Sequence, residues 1–73
     1  MKKYHGMEVI QESENGYLMI TYSPGGMGQR YSIRRRITWT PHNNKSWEYV
    51  GSYDSITQAR RALAKMPDVE TVR

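Results

Sequence analysis

The spacing of hydrophobic residues changes period once along this chain, near Ser55. Before that point apolar residues alternate with polar ones, the mark of strands with one buried face. In 17–22, Leu18, Ile20 and Tyr22 alternate with Tyr17, Met19 and Thr21, which predicts a strand near the middle of a sheet. In 29–40, Tyr31, Ile33, Ile37 and Trp39 share one face, and Ser32, Arg34, Arg36, Thr38 and Thr40 share the other. Arg35 falls among the apolar set. Two explanations stay open: a bulge resets the register there, or Arg35 sits near the sheet edge and carries its charged head to water. A shorter strand over 7–13 is centred on Val9 and Ile10. Another contains Trp47, Tyr49, Val50 and Tyr53, residues suited to a half-buried pleated surface. Gly51 within it predicts a bulge or bend that turns both Val50 and Tyr53 inward.

After Ser55 the period becomes helical. Ile56, Ala59, Leu63 and Met66 fall on one face with Ala62 at its edge. Ser55 is placed to cap the helix start, and Gln58 is placed to reach back to the Ser55 backbone N–H as the second half of a capping box. Pro67 cannot continue the helix. Asn15-Gly16 predicts a tight two-residue hairpin, since both residues tolerate positive φ. Ser23-Pro24-Gly25-Gly26-Met27-Gly28 and 41–45 read as breaks between strands. The ends, 1–6 and 68–73, are expected to fray. The prediction is a single small α+β domain, with a three- or four-stranded antiparallel meander packed by one C-terminal helix.

Composition narrows the chemistry. With 73 residues, no Cys and no Phe, the core must draw on the 6 Tyr, 2 Trp and 5 Met. Disulfides and thiolate zinc sites are excluded. Small folds without such staples often rely on very regular packing or oligomerisation, which leaves a homodimer open. The sequence carries no long apolar run and no signal-like start, so a cytoplasmic, non-membrane protein is expected. His5 and His42 are the only histidines, and neither stands in a Ser-His-Asp pattern or at metal-ligand spacing with Glu8 or Asp54. No catalytic residue, metal or cofactor is therefore expected, and the chain reads as a non-enzyme.

The charge is uneven as well as positive. Against a net charge of +4, the stretch 30–45 holds Arg30, Arg34, Arg35, Arg36 and Lys45 and no acid, while Glu8, Glu12 and Glu14 precede it. Clustering of this kind suits an anionic partner. With the period-two register, Arg34, Arg36 and Thr38 project from the face that a helix on the apolar side leaves open. The expected contact set is Arg30, Arg34, Arg36, Thr38, Lys45 and Trp47, with Arg61 and Lys65 as helix contacts to a backbone. Arg can bond guanine edges in a major groove, hydroxyls can take phosphates, and an aromatic can stack on an unpaired base. The leading partner is nucleic acid, duplex DNA first. The alternative is a protein-interaction module or small inhibitor docking on an acidic or nucleic-acid-binding surface of a larger protein.

The run Trp47-Glu48-Tyr49-Val50-Gly51-Ser52-Tyr53-Asp54-Ser55-Ile56-Thr57-Gln58-Ala59 resembles the last strand and helix start of the plant ethylene-response type DNA-binding domain. It is similar also to the arm-binding domain of phage tyrosine recombinases. Both are three-stranded antiparallel sheets backed by a helix, and in both, Arg and aromatic side chains on the outer sheet face read the major groove. The resemblance implies that role for Arg34, Arg36 and Trp47, in an accessory DNA-binding module. The Asn15-Gly16 hairpin adds a strand to that pattern.

Overall fold

The computed structural model describes residues 2–24, 30–39 and 44–72, without the side chains of Trp39 and Asn44. Positions 25–28 of the expected break at 23–28, the expected strand residues Gln29 and Thr40, and 41–43 of the expected polar connection 41–45 lie outside the described residues, as do Met1 and Arg73. Asn44 and Lys45, expected in that connection, instead pair with the strand Tyr31–Trp39 as the start of the last antiparallel strand. The elements run β1 (Lys3–Tyr4), β2 (Met7–Glu12), β3 (Leu18–Tyr22), β4 (Tyr31–Trp39), β5 (Asn44–Tyr53), α1 (Ile56–Lys65) and β6 (Thr71–Val72). The fold is α+β, but among the described residues the sheet has six strands in place of the three or four expected. Its order is β1-β2-β3-β4-β5, all antiparallel, with β3 in the middle and β6 parallel to β4.

The additional strands come from the two ends that the sequence was expected to leave frayed. His5 and Gly6 take φ of 48° and 82°, and this turn folds β1 back onto β2. Positive φ at both central residues matches the twist of a two-residue hairpin. At the other end, β3 pairs β4 only from Tyr31 to Arg35, so the rest of that edge is open to another strand. Beyond this point the Arg36 N–H donates to the Tyr17 carbonyl, and β6 then pairs with Ile37 and Thr38.

Asp68 holds the start of this tail against the β2–β3 connection. Its carboxylate accepts from the Asn15 N–H (2.6 Å), the Ser13 hydroxyl (2.7 Å) and the Tyr17 N–H (3.1 Å), and its carbonyl accepts from the Asn15 side-chain amide. Between Glu12 of β2 and Leu18 of β3 the connection spans 13–17 and is not the two-residue turn expected. The Ser13 N–H donates to the Leu18 carbonyl, the Gly16 N–H donates to the Ser13 carbonyl, and only Gly16 takes positive φ. Burial pushes the Asp68 carboxyl upward, but the hydrogen bonds from Asn15, Ser13 and Tyr17 outweigh it and hold the group below its ordinary value.

The helix follows its sequence signals closely. The Ser55 hydroxyl accepts from the Gln58 N–H at 3.2 Å, and the helix ends at Met66, before Pro67. The Gln58 side chain, however, accepts from the Asp54 N–H, one residue before the cap. Ala59 and Leu63 bury against Leu18, Ile20 and Ile33, with Tyr31, Tyr53, Ile56, Ala62 and Met66 around them. Each large apolar side chain in this layer contributes about 1.5–3 kcal/mol.

Two bulges explain the irregular positions. Ile33 faces Gly51 but Arg34 faces Tyr49, so Val50 is the extra residue. Val50 is thereby turned outward, 37% exposed, against the expectation that it faces the core with Tyr53. Gly51 keeps its register beneath the Tyr53 side chain, whose hydroxyl would stand 3.3 Å from an added Cβ. In β2 the extra residue is Ile10, between Val9 and Gln11. Arg35 needs no bulge in its own strand. It stays on the helix side of the sheet and pairs with its cross-strand neighbour Glu48 at 2.6 Å.

Candidate nucleic-acid interface

The register of β4 and β5 determines what the sheet shows on the side away from α1. Ile33 and its partner Gly51 belong to the helix side, so the intervening positions point the other way. Three cross-strand pairs follow one another there: Arg34 opposite Tyr49, Arg36 opposite Trp47 and Thr38 opposite Lys45. Each pair contains a cation, and two contain an aromatic ring. The expectation that Arg34 and Arg36 leave the sheet opposite the helix agrees with this register.

The members of this row are not equally free. The Arg34 guanidinium lies 5.2 Å from the Tyr4 ring centre and 5.8 Å from that of Tyr49, and donates to the Met7 sulfur at 3.8 Å. Tyr4 and Arg34 sit three strands apart, about 14 Å at the usual strand spacing. They meet because the sheet curls and both side chains lie along it. On that side of the sheet Met19 and Thr21 are 2% and 0% exposed, although α1 packs on the other side. Arg34 is thus engaged by neighbours on its own side of the sheet, and its Nε is buried without a hydrogen-bond partner among the described residues.

Thr38 is also committed. It is buried, and its hydroxyl donates to the Glu70 carboxylate at 2.6 Å. Arg36 and Trp47 are half-buried and Lys45 is exposed, and neither cation has an ion-pair partner among the described residues. Arg30 is exposed just before β4. It stands six residues from Arg36, about 20 Å along an extended chain. Arg61 and Lys65 are exposed on α1, which packs on the other side of the sheet, so the fold does not bring them to this surface.

One contributor was absent from the expected set. Tyr49 is 54% exposed, two residues from Trp47 on the same side of β5, and its hydroxyl hydrogen-bonds the Ser52 hydroxyl. The alternation of Trp47 and Tyr49 was a sufficient signal for it. Tyr4 had no such signal, because its place depends on the β1 hairpin.

Elsewhere, an open cleft of about 280 Å³ lies between the β2–β3 connection and α1, floored by Leu18, Leu63 and Met66 and rimmed by Gln11, Arg60 and Asp68. Arg60 donates to Gln11 across it at 2.9 Å. Among the described residues no three His, Asp or Glu side chains gather as a metal site, and no helix is long and apolar enough to cross a membrane. No family model, no curated protein and no solved structure matches the chain.

Proposed function

We propose that this chain is a non-enzymatic nucleic-acid-binding module that uses the sheet surface opposite α1. The observation supporting this reading is the run of pairs Arg34–Tyr49, Arg36–Trp47 and Thr38–Lys45, where cations and aromatic rings stand side by side on the sheet surface away from α1. Cations neutralise phosphates and rings stack on bases, so this combination serves both parts of a nucleotide. The resemblance of 47–59 to groove-reading sheet domains is consistent with it. Within the expected set, Arg36, Lys45 and Trp47 carry the contact, and Arg34 supports the surface from within.

A salt titration tests the proposal. Binding to a labelled oligonucleotide should weaken as salt rises, and Arg36→Ala should flatten the log–log slope by about 0.7–0.9, one phosphate's share. An affinity independent of salt, or one unaltered in the double variant Arg36→Ala, Lys45→Ala, removes this surface from consideration. The second reading, docking on an acidic protein, draws on the same Arg36 and Lys45, which have no ion-pair partner among the described residues. It predicts no oligonucleotide binding even at low salt.

A further inference from the structure

Resting on that reading, we infer that the nucleic acid taken by this surface is single-stranded, with Trp47 and Tyr49 as a two-base stacking platform flanked by Arg36 and Lys45. Two of the residues expected to read a duplex, Arg34 and Thr38, are engaged within the fold. Major-groove recognition asks for guanidinium groups that extend to base edges. Arg34, at one end of the row, instead lies within reach of the Tyr4 and Tyr49 rings, opposite Met19 on the neighbouring strand. The Thr38 hydroxyl, suited to a phosphate, is held by Glu70.

What remains free is aromatic. Tyr49 is more than half exposed, and its ring is fixed by the hydroxyl contact to Ser52 and by Arg34 beside it. Trp47 is half-buried opposite Arg36. Residues i and i+2 of a strand stand about 7 Å apart. That is roughly twice the 3.4 Å rise between bases in a duplex strand. Duplex bases stack on one another and present no face to such rings. An unstacked, extended strand can lay successive bases on both, with its phosphates toward Arg36 and Lys45, and stacking of this kind tolerates any base.

Fluorescence anisotropy with labelled dT10, rU10 and a 20-base-pair duplex tests this, each at low and moderate salt. Both single strands should bind at least tenfold more tightly than the duplex. Tyr49→Leu and Trp47→Leu should each weaken dT10 binding by about 5- to 150-fold, the range for loss of one stacked base. Tyr49→Phe and Trp47→Phe should stay near the parent, and circular dichroism should show both Leu variants folded. Should Trp47→Leu unfold, the exposed position of Tyr49 lets Tyr49→Leu carry the test alone. Tighter binding to the duplex, or full affinity in Tyr49→Leu, overturns the single-strand inference and leaves nucleic-acid binding standing. No binding to any of the three probes overturns both.

Discussion

Leu18 and Ile20 on one side of β3 are 1% and 0% exposed, and Met19 and Thr21 on the other side are 2% and 0%. Burial is the same on the two sides, but the means of covering differ. A helix seals the first pair with aliphatic side chains. The second pair lies on the side away from the helix, where the curled sheet brings Arg34, the cross-strand partner of Met19, together with Tyr4. A chain of 73 residues has little apolar surface to spend, and one helix covers one sheet face only. Long amphipathic side chains can extend burial to the other face while their polar ends stay near water. A surface built this way is packed and charged together, which separates a cation that supports the face from one available to a ligand.

The sharpest way to break this comparison is to hollow out each side in turn. Ile20→Ala should lower stability by about 2–5 kcal/mol, since the helix and the strands around it close only in part on the cavity. Met19→Ala should fall at the low end of that range, because the flexible Arg34 stem can settle into the space. Urea unfolding of both variants checks this, and equal losses would mean the two layers are equally rigid. The next effect has the opposite sign. The Thr21 hydroxyl is buried without a hydrogen-bond partner among the described residues. Thr21→Val should therefore raise stability by about 1 kcal/mol, within the usual penalty for an unpaired buried polar group. A loss on the same measurement would reveal a partner for that oxygen.

The smallest effect at neutral pH concerns the clasp that ties the tail to the β2–β3 connection. Asp68 titrates lower in the fold than in the unfolded chain, held down by Asn15, Ser13 and Tyr17 against the upward push of burial. Its contribution is therefore fully present above the unfolded value and disappears as pH falls through the folded one. Thermal unfolding between neutral pH and about pH 2 should show the parent losing stability below about pH 4, the ordinary carboxylate range. Asp68→Asn should begin lower at neutral pH and show a flatter acid limb. Parallel curves for the two proteins would remove the clasp from the account.

Much of the fold and part of the site were legible in the sequence because local patterns determine them. Period-two alternation placed β3 and β4 and put Arg34 and Arg36 opposite the helix. Ser55, Gln58 and Pro67 marked the helix, and its stripe of Ile56, Ala59, Leu63 and Met66 is the one that packs. Lys45, expected in the polar connection 41–45, joins the row because β5 already begins at Asn44, with Trp47 two residues on along the same side.

The tertiary structure decided everything that depends on residues far apart in the chain. The bond of Thr38 to Glu70, the grip of Asp68 on Asn15 and the contact of Arg34 with Tyr4 each join segments 30 or more residues apart. No local period encodes such meetings. They form only when the sheet curls and its ends return, and they engage Arg34 and Thr38 within the fold. Alternation assigns a side chain to a face, but whether it is free there depends on which distant groups reach it first.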